Sequence, residues 1–405
     1  MTSAKQRVWV LSEMFYPTEA ATGHYMTGIA IGLNSTFEVK AISAGAGAGP
    51  FVAHEFHEGV EIFRIRTPRL NKKRFLLRLI QMAWQTLGFV GMAMMKLRRG
   101  DAAFVVTNPP SLPIVLVPLL KLKGVQTVLR VDDLYPDAMV GAGLISREST
   151  IYKLVLGLNR FLYRHARLIV TLGRDMQQIV RGRVNPDQAD KVVVIPNWGD
   201  SLDVAPMERG RNPLLKELGL EDKFVFLVAG NIGRVQGIPA LVEAAERLAG
   251  NERIRLLFIG DGALKDHLLA EVQKRALTNV IWLPNQPRAK QEVFLNACDA
   301  AVLTLAKGMR GIGVPSRMYN YMAAGKPLLG IVDRLSEPGL VIAEERIGWV
   351  AAPGEPAEIA RVMLSASLEP ALAEMGAHSR RLAVERFSKE SILNTYSQAF
   401  TAGLR

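Results

Sequence analysis

The chain has 405 residues, of which 49% are hydrophobic and 22% charged, a composition typical of a globular protein long enough for two domains. The single cysteine, Cys298, excludes a disulfide framework and a cysteine-rich metal site. The six histidines are scattered, so a zinc site is not expected. Residues 1–200 carry 25 Lys and Arg against 15 Asp and Glu, most of the net charge of +12. This excess predicts a basic N-terminal surface, of the kind that attracts nucleic acid, anionic lipid or acidic substrates.

The first half of the chain alternates short apolar runs with helical patterns, which predicts a Rossmann-like α/β domain. A buried strand at residues 7–11 leads into a turn-rich loop, and a helix is predicted from about His24. That loop lacks a GxGxxG, so a nicotinamide cofactor is not indicated. The GAGAGP segment at residues 45–50 is interpreted as a flexible connection. Further strands are predicted at residues 38–43, 60–66, 102–107, 126–131, 168–172 and 192–195.

Residues 79–95 raise the question of a membrane span, because they carry no charge. They are at the short limit for a span and contain Gln81 and Gln85. We therefore expect a helix at residues 72–99 that packs on a sheet, with one apolar face near a membrane surface. The polar N-terminus and the short apolar run after it argue against a signal peptide. Basic residues flank the uncharged segment: Lys72, Lys73, Arg74, Arg78, Lys96, Arg98 and Arg99.

The second half repeats the alternation after a polar linker at residues 200–222, which predicts a second α/β domain facing the first across a cleft. The C-terminal helices are expected to cross back to the first domain. The predicted units are therefore residues 1–200, 201–385 and a returning helix at 386–405. Strands are predicted at residues 223–228, 255–259, 280–283, 300–305, 328–331 and 348–350.

Glycine and arginine collect in the loops that follow the strands of this second half. AGNIGRVQG places Gly230, Gly233, Arg234 and Gly237 around a helix start, and a GDG follows the next strand. Because the carboxyl ends of parallel strands share one edge of the sheet, these loops predict a nucleotide-diphosphate pocket. Each glycine by itself is more often a requirement of turn geometry.

The segment GIGVPSRMYNYMAAGKP at residues 311–327 predicts a loop that opens a helix. Pro315 suits the first helical turn. Ser316 and Arg317 follow in that turn, where free amides and the guanidinium favour a bound anion. Gly325 and Pro327 end the helix. The alternative is an ordinary loop-to-helix junction.

Two acids, Asp132 and Asp133, end a strand of the first half at the same kind of edge. A carboxylate there can take a proton from a hydroxyl or stabilise positive charge at a sugar carbon. His24, at a helix start across the cleft, is a further catalytic candidate. The alternative is that these acids only cap a helix or shape a turn.

In these segments the chain resembles bacterial retaining glycosyltransferases of family 4, which have the GT-B fold. It looks closest to the WbuB-like and WcaI-like group, which builds O-antigen, capsule or colanic acid. The segments that carry the resemblance are YPTEAATGHY, DDLYPD, VIPNWGD, AGNIGRVQG, IGDG, NVIWLPNQP, GVPSRMYNYMAAGKP and RFSKES.

The resemblance implies that the C-terminal domain binds a nucleotide-sugar, usually a UDP-sugar, and that no metal or other cofactor is needed. The N-terminal domain would bind a lipid-diphosphate-linked saccharide acceptor, with Thr22 and Gly23 in the acceptor loop. Residues 72–99 would contact anionic lipid, placing the protein in the cytoplasm at the inner face of the inner membrane. The expected donor residues are Gly233, Arg234, Gln236, Asn285, Arg310, Gly313, Val314, Pro315, Ser316, Arg317 and Asn320.

One departure from the family pattern concerns the E-x7-E motif, whose two carboxylates read the donor sugar and the ribose. Aligned on MAAGKP, these positions hold Ile312 and Asn320. Asn320 retains hydrogen-bonding capacity for ribose, without a charge. The lysine of the wider phosphate loop is replaced by Gln236, and Arg317 is expected to supply that charge.

Three other functions are weighed against glycosyl transfer. A nucleotide-sugar 2-epimerase would share the pocket but would not need the basic, apolar N-terminal surface. A catalytically silent nucleotide-binding protein is compatible with the missing carboxylates. Nucleic-acid binding would account for the high pI, but the basic residues interleave with aliphatic rather than aromatic residues and no RNP, KH or helix-turn-helix pattern is present.

Overall fold

Two mostly parallel β-sheets, one in each half of the chain, contain the strands that the structure describes. The computed structural model describes residues 5–46, 51–68 and 75–404. Buried apolar clusters lie on both faces of each sheet, so helices cover each sheet on two sides. The prediction of an α/β protein with two Rossmann-like domains facing a cleft is confirmed.

The N-terminal sheet has the order β3-β4-β2-β1-β5-β6-β7-β8. Its strands are β1 (Arg7–Ser12), β2 (Glu38–Ala46), β3 (Val52–His57), β4 (Val60–Thr67), β5 (Ala102–Val106), β6 (Gln126–Val131), β7 (Leu168–Thr171) and β8 (Val192–Val194). Its helices are α1 (Ala21–Leu33), α2 (Phe75–Lys96), α3 (Ser111–Leu122), α4 (Asp137–Gly141), α5 (Thr150–His165) and α6 (Arg174–Arg181).

An antiparallel edge strand, β3, was not predicted from the sequence. It pairs with β4 through a turn at Glu58 and Gly59, both of which have positive φ. A two-residue turn containing glycine between alternating segments is the signal for such a hairpin. Gly45 and Ala46, predicted as connection, instead extend β2, and α1 begins at Ala21, not at His24. Residues 47–50 and the basic residues at 72–74 lie outside the described residues.

The C-terminal sheet is wholly parallel, with the order β11-β10-β9-β12-β13-β14. Its strands are β9 (Phe224–Ala229), β10 (Ile254–Ile259), β11 (Val280–Leu283), β12 (Ala300–Thr304), β13 (Leu328–Ile331) and β14 (Gly348–Ala351). Its helices are α7 (Pro213–Glu217), α8 (Ile238–Arg247), α9 (Lys265–Lys274), α10 (Gln291–Leu295), α11 (Arg317–Ala323), α12 (Glu337–Glu344), α13 (Pro356–Ala366) and α14 (Leu372–Glu385).

The last helix, α15 (Lys389–Gly403), returns to the N-terminal domain, as predicted. Its residues Ile392, Tyr396 and Phe400 are buried in the N-terminal core beside α1. The Tyr396 hydroxyl also accepts a hydrogen bond from Arg130 at 2.5 Å. The proposed domain boundaries, at 200/201 and 385/386, fall in the segments between β8 and α7 and between α14 and α15, and they remain predictions.

The two domains touch at the carboxyl ends of their strands. The backbone N–H of Leu134 donates to the carbonyl of Ile312 at 2.8 Å. The N–H of Gly311 donates to Asp175 at 2.9 Å, so the GIGVP loop rests on the first turn of α6. These contacts bring the loops predicted to carry chemistry to the two walls of one cleft.

Helix α2 lies on the N-terminal sheet with Phe89, Met92 and Ala93 in the core. Within the part of the chain that the structure describes, no helix combines the length and the apolarity needed to cross a bilayer.

Candidate nucleotide-sugar site

Glycines at the carboxyl ends of β9 and β10 let two backbone segments approach each other closely. Gly230 has φ of +121°, and a Cβ placed on Gly260 would lie 2.0 Å from the carbonyl oxygen of Gly230. Gly237, with φ of +64°, begins α8 against the backbone of Leu305 and Ala306. Side chains at these positions would clash or strain the backbone, so these loops require glycine.

Arg317 is a basic group that lies at this glycine-rich edge. Its Nη1 donates to the carbonyl of Ala229 at 3.2 Å, and its Nη2 donates to Oε1 of Gln236 at 2.7 Å. The guanidinium lies 3.6 Å from the position of a Cβ on Gly230. Among the described residues Arg317 has no acidic partner, so its positive charge is not neutralised within the protein. Such a guanidinium favours an anionic ligand.

The helix that carries Arg317 begins later and is shorter than predicted. Ser316 is its N-cap, without a side-chain capping bond, and Pro315 lies before it, outside the first helical turn. With only seven residues, α11 has little macrodipole, because that field is the sum of aligned peptide dipoles. The guanidinium of Arg317, and not the helix dipole, is therefore the main positive charge that α11 contributes.

A cavity of about 360 Å³ opens beside Arg317, between the domains. This volume lies within the range of small-molecule sites. Tyr25 of α1 forms its N-terminal wall. Four predicted donor residues also line it: Asn285, Ser316, Arg317 and Asn320. Gln236 does not line the cavity, but it accepts a hydrogen bond from Arg317, which does.

Other predicted donor residues lie elsewhere. Val314 is buried in the apolar core at 8% exposure, so its side chain does not face the cavity. Arg234 and Arg310 are exposed, do not line this cavity and make no hydrogen bond or ion pair with a described residue. Gly233 precedes the short turn at Arg234–Gln236 and packs against Asn231.

The two adjacent acids of the N-terminal domain have different environments. Asp132 accepts a hydrogen bond from Nε of Arg130 at 2.6 Å. Arg130 is buried and also binds Tyr396 and Asn197, so it holds Asp132 in a structural ion pair. Burial opposes the charge of Arg130, but Asp132 and Tyr396 outweigh this effect and raise its pKa.

Asp133 faces the cleft and forms no ion pair with a described residue. Enclosure between the domains, together with the charge of Asp132, raises the pKa of Asp133 to about 6, although water still reaches the side chain through the open cleft. A Cβ on Gly313, in the opposite wall, would lie 3.1 Å from Oδ1 of Asp133. Gly313 therefore allows the GIGVP loop to approach this carboxylate, and Asp133 is the better placed of the two acids to contact a ligand in the cleft.

His24, the third catalytic candidate, is engaged by a residue to which sequence reasoning gave no role. Its Nε2 lies 2.9 Å from Oδ1 of Asp200, and the other carboxylate oxygen binds Arg288. The N–H of Asp200 donates to Oδ1 of Asn320 at 2.8 Å. Burial opposes ionisation of Asp200, but His24 and Arg288 outweigh it and lower its pKa. The sequence signal that could have identified Asp200 was its position at the end of the segment VIPNWGD.

The predicted acceptor loop is part of a helix. Thr22 and Gly23 both belong to the first turn of α1. A Cβ on Gly23 would meet Cγ2 of Thr18 at 2.2 Å, so glycine is needed for close packing of the preceding loop. Their role toward an acceptor remains a prediction.

Comparison with known proteins shows the family of the chain. Residues 211–381 match the family model for glycosyl transferases group 1, and residues 21–198 match that for a glycosyl transferase 4-like domain. The probable glycosyltransferase WbjE of Pseudomonas aeruginosa is 32% identical over 395 residues, covering 96% of each chain. WcaI of Escherichia coli K12, named for colanic acid biosynthesis, is 26% identical over 284 residues, covering 69% of this chain and 68% of its own.

Solved structures share the fold across the whole chain. Sucrose-phosphate synthase from Thermosynechococcus elongatus has a TM-score of 0.77 at 15% identity, covering 98% of this chain and 99% of its own. Anabaena HepE, solved with UDP, has a TM-score of 0.70 at 15% identity, covering 98% and 100%. The chain therefore belongs to the group 1 and 4-like glycosyltransferases, that is, to family 4 with the GT-B fold.

Proposed function

We propose that this glycosyltransferase moves a hexosyl or N-acetylhexosaminyl group from a UDP-sugar to a lipid-diphosphate-linked saccharide, with retention of anomeric configuration. The pathway would be the synthesis of lipopolysaccharide, capsule or exopolysaccharide. The observation that carries the donor proposal is Arg317, a cation at the edge of the interdomain cavity with no acidic partner in the part of the chain that the structure describes. UDP as the nucleotide is supported by the HepE complex, and the pathway by the name of WcaI.

In the proposed reaction the acceptor hydroxyl attacks the anomeric carbon on the face from which UDP departs. The bond from that carbon to the phosphate oxygen breaks as the new glycosidic bond forms. Attack on this face places the hydroxyl beside the departing phosphate oxygen, which receives its proton. Arg317 stabilises the charge that grows on the diphosphate, and ionised Asp133 stabilises the oxocarbenium-like carbon.

We propose that this transfer needs no metal ion, because Arg317 supplies the positive charge that a cation would otherwise bring to the diphosphate. The described residues contain no group of three or more His, Cys, Asp and Glu side chains arranged to hold a metal.

We further propose that the protein works at the inner face of the inner membrane, with α2 against anionic lipid. Ile80, Trp84, Leu87 and Met95 form an exposed apolar stripe along α2 at helical spacing. Exposed basic residues lie at the C-terminal end of the helix, at Lys96, Arg98 and Arg99. Helix α5, which packs against α3, also exposes apolar side chains, at Ile151, Leu154, Leu158 and Phe161. An apolar stripe with basic residues at its end fits an anionic bilayer surface.

The first experiment measures donor binding and transfer. UDP-, GDP- and dTDP-sugars are supplied with a membrane-lipid acceptor, and released nucleotide and labelled glycolipid are quantified. We expect glycolipid from a UDP-sugar. Arg317→Ala should weaken UDP binding by about tenfold or more, since a hydrogen bond to a charged group contributes about 1.5–3 kcal/mol.

The matched control is Arg361→Ala, on the exposed face of α13, which should bind UDP as the wild type does. Unchanged UDP affinity in Arg317→Ala would show that the diphosphate lies elsewhere. Nucleotide release without glycolipid would argue against a transferase, and an epimerised sugar would support the epimerase.

The second experiment follows kcat/KM against pH. Because the pKa of Asp133 is about 6, its ionised form accumulates above that pH, and kcat/KM should rise through about pH 6. Asp133→Asn should remove this rise and lower kcat about a hundredfold or more. The pKa of Asp133 is higher in the folded protein than in the unfolded chain, so ionisation of Asp133 destabilises the fold. The free energy of unfolding should therefore fall as the pH rises from about 4 to 6.

Asp187→Asn, at an exposed position of the same domain, is the control and should keep the wild-type profile. A rise in kcat/KM that survives in Asp133→Asn would assign the titration to another group.

The third experiment tests the membrane contact by vesicle co-sedimentation. The wild type should bind phosphatidylglycerol-containing vesicles more than phosphatidylcholine vesicles. Combined Leu87→Glu and Met95→Glu should abolish binding, because charges then replace two side chains that are 70% and 72% exposed on the apolar stripe. Leu202→Glu, at a 94% exposed position in the interdomain segment, is the control. Binding by the double variant at the wild-type level would contradict this contact.

A further inference from the structure

A second cavity, of about 750 Å³, lies in the N-terminal domain and is about twice as large as the cavity at Arg317. It is bounded by the loop after β1, the carboxyl end of β2 and the inner face of α2. Glu13, Gln81 and Gln85 line it, opposite Arg64 and Gly45. None of these residues was assigned a function from the sequence.

This cavity continues toward the proposed reaction centre. An adjoining cavity of about 310 Å³ shares Glu13, Gln81 and Gln85 and reaches Asn108. Thr107, next to Asn108, accepts a hydrogen bond from the N–H of Asp132 at 3.1 Å. We call the two cavities together the N-domain groove; it ends beside the loop that carries Asp133.

Gln81 is the residue of the groove whose unpaired side-chain oxygen indicates a bound ligand. Only 9% of the residue is exposed, yet its Oε1 has no hydrogen-bond partner among the described residues. A buried acceptor without a partner costs about 1–3 kcal/mol. Such groups are uncommon in native proteins and require an explanation.

Glu13 is held in place by its neighbour. Gln85, which is 4% exposed, donates from Nε2 to Oε1 of Glu13 at 3.0 Å. The second carboxylate oxygen makes no hydrogen bond with a described residue. The groove therefore presents two acceptors, on Gln81 and Glu13, and Gln85 fixes the position of the second.

The composition of the groove selects the class of ligand. The buried Oε1 of Gln81 requires a donor, the partly exposed carboxylate of Glu13 accepts another, and its charge repels a phosphate. The cation in the opposite wall, Arg64, is already bound to Glu55, Ser43 and the carbonyl of Tyr16. The Tyr16 ring, 41% exposed and stacked on His57 at 3.6 Å between centroids, adds a flat apolar surface. Hydroxyl donors beside an aromatic surface fit a sugar ring.

We propose that the N-domain groove binds a sugar ring of the acceptor, whose hydroxyls donate hydrogen bonds to Gln81 and Glu13. Gln85 is the positioning residue for Glu13. This inference rests on the proposed transfer to a saccharide, and it names the side chains that recognise that saccharide.

The position of the groove on α2 fits a lipid-linked sugar. Gln81 and Gln85, one turn apart, are on the inner face of the helix and are nearly buried. Ile80 and Trp84, each adjacent to one of them, are about half exposed on the outer face. One helix then separates the sugar from the proposed membrane surface by its own width, about 10 Å.

The test uses saturation-transfer NMR on the full chain with a panel of methyl glycosides of hexoses and N-acetylhexosamines. UDP binding is measured in the same samples. We expect the wild type to bind at least one glycoside through its ring protons. Gln81→Met and Glu13→Ala should each weaken that binding about tenfold or more, with UDP affinity unchanged.

Stability separates recognition from a structural role. Gln81→Met keeps the shape of the side chain and removes an acceptor that has no partner, so the Tm should not fall. A glutamine needed for folding would give a lower Tm in this variant. Gln273→Met, on the exposed face of α9, is the matched control and should bind glycosides as the wild type does.

Equal glycoside binding by the wild type, Gln81→Met and Glu13→Ala would place the sugar outside the groove and overturn the inference. UDP binding by a wild type that binds no glycoside would also overturn it, while leaving the donor proposal intact. Glycoside binding that depends on Gln81, in a chain that does not bind UDP, would support the groove and count against the donor proposal.

Discussion

The carboxylate of Asp200 connects the two domains at the point where the chain passes from one to the other. The carboxylate contacts His24 on α1 and Arg288 from the loop after β11. The backbone N–H of Asp200 donates to the side chain of Asn320 on α11. Asp200 is nearly buried, so removing one partner would leave a charge poorly compensated, at a cost of about 3–5 kcal/mol for a fully buried pair and less here because His24 and Arg288 are partly exposed. This cluster helps to fix the spacing of the cleft and thus the approach of Gly313 to Asp133.

The same contacts between the domains explain why the segment at residues 311–327 departs from the expected E-x7-E pattern. The oxygen of Asn320 is occupied by the N–H of Asp200, and a glutamate there would bring a second carboxylate toward Asp200. Ile312 is 2% exposed and packs with Met309 and Val332, where a glutamate would lose its hydration. Both positions of the E-x7-E motif therefore serve the contact between domains. In our proposal Arg317 carries a larger share of donor recognition for this reason.

Local patterns in the sequence were enough to predict the fold and part of the candidate site. Apolar runs predicted the parallel strands, and glycines such as Gly230 and Gly260 marked the loops where backbones approach closely. Arg317 and Asn285 line one cavity and Gln236 is hydrogen-bonded to Arg317, because strand ends share an edge in this fold. The roles proposed for these residues remain predictions.

What the sequence did not predict depends on contacts between distant segments. Asp200 acquires its partners from three separate elements, and Gln81 meets Glu13 only when α2 packs on the sheet. Val314 was expected to bind donor but is buried, because the loop turns it into the core. The edge strand β3 was overlooked because it directly follows a glycine-rich segment that was interpreted as connection.

The central claim is that the donor diphosphate binds Arg317 in the cleft opposite Asp133. A crystal structure of the UDP complex tests it most directly. We predict phosphate oxygens at about 3 Å from the guanidinium of Arg317, with the uracil beside Asn285. A diphosphate bound to Arg234 or Arg310, with Arg317 still bonded to Gln236 and Ala229 alone, would contradict this account.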